Sequence, residues 1–314
     1  MTGTGERSRL RMAELYCGIG GCAAAVGSAA TVVAAVDINR KALEIYRWNF
    51  PHPTAIATIE SLGAATLKEW RADLWWMSPP CQPFTQRGRR RDATDSRTQS
   101  FLDLVAQLKE VMPTYLGIEN VPGFRGSITH SLLRDTLEDL DYQVLEWDLC
   151  PTAFGIPNRR ERFYLVAGRT PLGNPSPPVV KPRSLHTFLD AEPALDLWID
   201  PELAQQYRHA LNLVDPSDPK ATTACFTSAY SHSPVRSGSY LQTPTGPRRF
   251  SPAEILRLLG FSSSYTLPPN LPKETAWRLV GNSLSVPAVR YVLSAIPDLS
   301  RLVKGGRPTP RASS

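Results

Sequence analysis

The most unusual short stretch of the chain is Ser78-Pro-Pro-Cys-Gln-Pro-Phe84, in which two prolines freeze the backbone immediately before the thiol of Cys81. A buried, inert cysteine is the commoner fate of a thiol, yet a rigid backbone is an expensive way to place one. The polar flanks and the arginines that follow favour thiolate over thiol, which is what a nucleophile requires. In Ile118-Glu119-Asn120-Val121 a carboxylate ends an apolar run, the edge at which an α/β sheet binds ligands; a surface or capping glutamate would look the same. Arg160 and Arg162 alternate around Glu161 at the start of another run, so both guanidiniums project to one face. Two such forks suit a phosphate or a base oxygen, and an ion-pair rung in a sheet is the equal alternative.

A fourth feature is Glu14-Leu-Tyr-Cys-Gly-Ile-Gly-Gly21, where glycines between a strand and a helix let the backbone approach a ligand and helix N–H groups face it. Asp37 ends the next strand, placed to accept hydrogen bonds from ribose hydroxyls. Such a turn is as often tight packing or another nucleotide site, so it licenses a nucleotide-like ligand and no more.

These residues need elements to hold them. Met12 to Tyr16, Val32 to Asp37, Leu74 to Ser78, Tyr115 to Glu119, Gln143 to Leu149 and Phe163 to Ala167 read as strands. Lys41 to Asn49, Phe101 to Val111 and Ser131 to Leu140 read as helices, the last with Leu133, Leu137 and Leu140 on one face. Strand and helix in alternation predict an α/β, Rossmann-like domain over residues 1–170, with a mostly parallel sheet covered by helices on both faces. Five prolines in Thr170 to Pro182 mark a boundary, and weak periodicity with many Ser, Thr, Pro and Gly predicts a small irregular domain over 171–250. Helical patterns return over 251–300, the first opened by the capping box Ser251-Pro-Ala-Glu254, and are expected to rejoin the large domain. Residues 301–314, basic and without acids, read as a disordered tail.

Composition bounds the answer less sharply. The 314 residues are 42% hydrophobic and 20% charged, enough for a core and too apolar for a disordered chain. The stretch Ala23 to Val36 is too short and broken to span a bilayer, and the basic N-terminus lacks an apolar segment after it, so a cytoplasmic protein is expected. The cysteines Cys17, Cys22, Cys81, Cys150 and Cys225 form no C-x-x-C pair, which argues against a disulfide framework and against a metal site. A net charge of +6 makes an anionic partner plausible, the more so because Arg87, Arg89, Arg90 and Arg91 cluster directly after Pro-Pro-Cys.

Taken in order, Glu14 to Gly21, Ser78 to Phe84, Glu119-Asn-Val, Arg160-Glu-Arg162 and Gly281-Asn-Ser-Leu-Ser-Val-Pro287 resemble the motifs of the cytosine-C5 methyltransferases. The resemblance spans nearly the whole chain except the middle of the small domain. Pro83-Phe-Thr85, Thr94-Asp-Ser-Arg97, Gly155-Ile-Pro-Asn158 and above all Ala224-Cys-Phe-Thr-Ser-Ala-Tyr230 are similar to the branch that methylates transfer RNA, at an anticodon-loop cytosine (cytosine-38). A shorter variable region and the run Arg89-Arg90-Arg91 depart from the eukaryotic members of that branch.

The resemblance implies S-adenosylmethionine as methyl donor. Around it would stand Tyr16, Gly18, Ile19, Gly20, Gly21, Asp37, Ile38, Ile59, Glu60, Pro80, Asn282 and Ser283. Cys81 would be the nucleophile, Glu119 the acid on the base edge, and Arg162 with Arg160 the holder of the O2 edge or a flanking phosphate. Arg87, Arg89, Arg90, Arg91 and Arg97 would meet phosphates, and Cys225, Phe226 and Thr227 the substrate, although packing is the default role of Cys225. A monomer acting on nucleic acid is expected. The rivals are a DNA cytosine-C5 methyltransferase, a nucleic-acid-binding module that has lost catalysis, and a nicotinamide dehydrogenase, which has no use for Pro-Pro-Cys.

Overall fold

The computed structural model describes residues 9–80 and 96–303. Seven strands, β1 (Leu10–Leu15), β2 (Ala30–Asp37), β3 (Thr54–Ile56), β4 (Leu74–Met77), β5 (Tyr115–Asn120), β6 (Gln143–Leu149) and β7 (Arg162–Gly168), form one sheet in the order β3-β2-β1-β4-β5-β7-β6. Its first five strands run parallel. β7 runs antiparallel to both β5 and β6. The chain winds outward from β1 through β2 to β3 and then returns to β4 on the other side. Ligands of open α/β sheets bind at such a switch point, off the carboxyl ends of the strands.

Both faces are covered, as a parallel sheet requires. All of β4 (Leu74-Trp-Trp-Met77) is buried, with Trp76 in the core on one face and Trp75 in the core on the other. Gly117 makes room for this: a β-carbon there would stand 2.5 Å from the Trp76 ring. Helices α1 (Gly21–Val26), α2 (Arg40–Asn49), α3 (Ala64–Glu69), α4 (Ser96–Val111) and α5 (Ile128–Asp139) connect the strands. The last starts earlier than the leucine pattern predicts, because the Ser127 side chain accepts from His130 N and caps it.

Residues 171–184 carry no regular element. Beyond them lie helix α6 (Pro201–Gln206) and a three-stranded sheet of β8 (Asn212–Val214), β9 (Ser239–Thr243) and β10 (Gly246–Arg249). Then come α7 (Pro252–Leu258), α8 (Lys273–Gly281) and α9 (Val286–Leu293). The capping box is present: the Ser251 hydroxyl accepts from Glu254 N, and the Glu254 side chain accepts from Ser251 N. Glu254 also pairs with the buried Arg248 at 2.8 Å, fastening β10 to α7. α9 packs on α1, and Arg290 donates to the Ala24 and Ala25 carbonyls, so the C-terminal helices close onto the first turn of the sheet. Among the described residues no helix is long and apolar enough to cross a membrane, and no group of His, Cys, Asp and Glu could hold a metal.

One expectation is corrected here. The N–H groups at the start of α1 do not face a ligand: the buried Glu14 carboxylate accepts from Cys22 N at 3.0 Å and Ala23 N at 3.2 Å, and from the Tyr46 hydroxyl at 3.2 Å. A protein carboxylate therefore occupies the place where a dinucleotide pyrophosphate would sit, which removes the dehydrogenase reading. Burial pushes the Glu14 carboxyl up to about 8, against the pull of its three donors. Because the folded value exceeds the ordinary 4.5, the folded state binds the extra proton between those values. Its contribution to stability is complete below about 4.5 and is lost as pH rises through about 8. Urea midpoints measured across that window should fall with rising pH in the parent protein, and Glu14→Gln should flatten the slope.

Candidate active site

The loop after β1 carries three residues with left-handed backbone, Tyr16 (φ 55°), Gly18 (φ 52°) and Gly20 (φ 86°). At Gly20 the glycine is required twice over, since a β-carbon would also stand 2.6 Å from the Phe50 ring. Asp37, at the end of β2, fixes the loop by accepting from Gly18 N at 2.8 Å, while its other oxygen accepts from Asn39 N at 2.8 Å. With Ile38 N also donating to it, the carboxylate keeps room for one further donor such as a hydroxyl. Beside it Ile38 is 66% exposed, and among the described residues, its chain neighbours apart, no atom lies within 4 Å of the place a β-carbon of Gly18 would take. An apolar side chain, a partly satisfied carboxylate and open space at a glycine fit a neutral nucleoside such as the adenosine of S-adenosylmethionine. The side chains of Ile19 and Ile59 point elsewhere: both are buried in the core, so they can meet a ligand only through backbone. Glu60, Pro80 and Asn282 are exposed, whereas Ser283 is nearly buried. The Tyr16 hydroxyl is hydrogen-bonded to Ser100 at 2.9 Å.

The second half of the site is built around Glu119, near the end of β5. Its carboxylate lies 3.3 Å from Arg162 Nε, with both side chains largely out of solvent. Burial pushes its carboxyl up, opposed by Arg162 and then Arg160. Arg162 Nη2 reaches the Cys225 thiol at 3.7 Å, and Arg160 Nη1 reaches the same sulfur at 3.2 Å. The two guanidiniums thus converge, as their spacing predicts, and they do so on the Cys225 thiol, a candidate substrate contact for which packing is the default role. Burial alone would raise the Cys225 thiol; Arg160 and then Arg162 more than offset it, leaving the thiol below its ordinary value.

Arg160 is also committed elsewhere. Its guanidinium, 4% exposed as a residue, donates to the carbonyls of Phe226 at 3.0 Å, Gly281 at 3.3 Å and Ser283. A β-carbon on Gly281 would stand 2.4 Å from the Thr227 carbonyl oxygen. Gly281-Asn-Ser and Cys225-Phe-Thr therefore lie back to back, stapled by one arginine. Substituting Arg160→Met strands those carbonyls at about 1–3 kcal/mol apiece, so urea unfolding should show a stability loss of about 3 kcal/mol or more. Phe226 is corrected as a substrate contact, since its side chain is 2% exposed and packs edge-on against Tyr230 and Phe250. Thr227 keeps partial exposure.

Cys81, Arg87, Arg89, Arg90 and Arg91 lie outside the described residues, as does the side chain of Arg97. Two residues missed in the sequence stand next to this centre. Asn120 is buried; its Nδ2 donates to the Pro79 carbonyl at 3.4 Å and its Oδ1 accepts from Val121 N at 2.8 Å, so it ties the end of β5 to the backbone leading into Cys81. Tyr164 lies directly opposite Glu119 in the β5–β7 register, fully buried, its hydroxyl without a hydrogen bond among the described residues. The place of Asn120 in Glu-Asn-Val was a usable signal; Tyr164 carried none.

A family model described as C-5 cytosine-specific DNA methylase matches residues 10–196 and 198–298. A tRNA (cytosine(38)-C(5))-methyltransferase of Spodoptera frugiperda is 31% identical, covering 91% of this chain and 98% of the relative. A protein of Dictyostelium discoideum named DNA (cytosine-5)-methyltransferase is 30% identical, covering 92% of this chain and 94% of the relative. Among solved structures, the S. pombe Dnmt2 methyltransferase superposes with a TM-score of 0.83 at 32% identity, covering 91% of this chain and 97% of that one.

Proposed function

The chain belongs to the C-5 cytosine-specific methylase family, and from that premise we propose that it methylates carbon 5 of a cytosine in transfer RNA, at the anticodon-loop position 38. The observation that carries the reading is the cluster in which Glu119, Arg162, Arg160 and Cys225 meet, because it joins the acid of the sheet to the Cys-Phe-Thr segment. The relatives named for cytosine-38 of tRNA support the choice of substrate.

Carbon 5 of cytosine is a poor nucleophile until something adds to carbon 6. In this reading the Cys81 thiolate makes that addition, and electron density moves onto carbon 5. Glu119 hydrogen-bonds N3 and the exocyclic amine as a protonated acid, the form that its burial favours. Arg162 holds the O2 edge while remaining paired with Glu119. Arg160 acts behind it, by keeping the Cys225 and Gly281 segments in register. S-adenosylmethionine, when bound over Gly18, Asp37 and Ile38, supplies the electrophilic methyl group that carbon 5 takes up. Loss of the carbon-5 proton and departure of the thiolate complete the turnover. A base inside a duplex cannot reach such a centre, and an anticodon loop is cheaper to open.

The rival substrate is DNA, favoured by the relative of that name in Dictyostelium discoideum. Transfer of a labelled methyl group to total tRNA and, in parallel, to unmodified genomic DNA separates the two. Label in tRNA alone is expected, lost when cytosine-38 is replaced; label in DNA alone would overturn the substrate and keep the chemistry.

A further inference from the structure

Between the Cys-Phe-Thr segment and the turn that follows α6 lies a cavity of about 500 Å³, a volume within the range of small-molecule clefts. One wall is Cys225, the thiol that Arg160 and Arg162 hold beside Glu119. The cavity therefore adjoins the base-binding centre, sharing the Cys225 wall with it, while its remaining lining comes from other residues. Leu211 and Ala224 give it an apolar surface, and Arg236 and His209 stand on its rim.

The polar groups there are donors. His209 Nε2 accepts from Arg208 Nε at 2.9 Å, so the ring proton sits on Nδ1, which has no acceptor among the described residues. The Asn212 side-chain oxygen is taken by the Ser239 hydroxyl, which leaves its amide N–H groups. Arg236 is exposed, makes no hydrogen bond or ion pair among the described residues, and holds a left-handed backbone (φ 53°) that L-residues rarely adopt. Among the described residues no carboxylate lines the cavity. An apolar surface rimmed by donors, with no acid, suits a base above a phosphodiester.

We propose that this cavity receives the nucleotide adjacent to the target cytosine, its base against Leu211 and Ala224 and its phosphate on Arg236 and His209. The proposal rests on the RNA reading above. Its physical logic is compensation: drawing one base into the Glu119 centre takes a stacking partner from its neighbour, and an apolar protein surface that takes up that neighbour returns part of the lost contact.

The test compares methyl transfer by the full chain, Arg236→Gln and His209→Ala on RNA hairpins in which a single nucleotide flanking the target is intact or abasic on either side. Cofactor binding serves as the control for folding. For the parent protein one of the two abasic hairpins should raise KM at least tenfold with kcat little changed. Arg236→Gln should raise KM on the intact hairpin to a similar extent, and its abasic penalty should shrink, because a nucleotide no longer held by its phosphate seats its base in the cavity less often, so that the two contacts are coupled. Arg236→Lys should recover part of the affinity. A variant with parental KM, or one whose abasic penalty stays full-sized, overturns the cavity alone. A parent protein that methylates no RNA overturns the substrate reading and this proposal with it.

Discussion

Methyl transfer by Cys81→Ala is expected to fall roughly 10⁴-fold or more, the order seen when a covalent nucleophile is removed, while affinity for S-adenosylmethionine stays within twofold. The two readouts separate because they depend on different elements. The cofactor contacts proposed above lie on the β1 and β2 loops, at Gly18, Asp37 and Ile38, and none depends on the thiol. The backbone leading into Cys81 is tied from both neighbouring strands. Ser78 N donates to the Leu15 carbonyl of β1, and Asn120 of β5 donates to the Pro79 carbonyl. That anchorage survives the substitution, so the loss would lie in chemistry rather than folding. Single-turnover transfer of labelled methyl, run beside calorimetric titration of the cofactor, checks both halves. Ordinary turnover by the variant would remove Cys81 from the reaction, and loss of both readouts would make it structural.

The alternation of apolar runs and helical patterns made the sheet legible, because buried strands and amphipathic helices leave periodicities that survive in one dimension. The direction of β7 did not show. Phe163 to Ala167 is buried on both faces and reads the same whichever way it runs; its reversal depends on pairing with β5 and β6. Glu14 looked like part of a glycine turn, and only the fold shows its carboxylate capping α1. For Arg160 the spacing correctly predicted a shared face with Arg162. It could not reveal three carbonyl acceptors lying 66, 121 and 123 residues away. Nor could the sequence show what surrounds Cys225, since its character comes from two guanidiniums more than sixty positions distant. Local pattern reports what a residue's own element needs, whereas these roles are set by partners brought together from different motifs.

Glu119→Gln tests the remaining assignment through pH. Burial raises the Glu119 carboxyl, and Arg162 and Arg160 only partly reverse it, so the acid keeps its proton to higher pH than an exposed glutamate. If the protonated acid holds the cytosine ring, the parent rate must fall as pH rises and that proton is lost. The thiolate requirement runs the other way, since the rate climbs as the nucleophile loses its proton. Gln presents an N–H and a carbonyl at the same place and cannot ionise, so the variant should keep the climb and lose the alkaline fall. Its rate should drop roughly 10²–10⁴-fold, the usual share of general acid catalysis, because the amide cannot strengthen its hydrogen bond as the ring gains charge. Arg162 would also lose its carboxyl partner at 3.3 Å, so unfolding should be measured on the same sample; a loss of stability leaves the shape of the pH profile intact, whereas a changed proton holder does not. An alkaline fall that persists in Glu119→Gln would assign the titrating proton to another group. The nearest such group is Tyr164, which faces Glu119 across the strand pair with its buried hydroxyl unbonded among the described residues, and Tyr164→Phe would then have to abolish that fall.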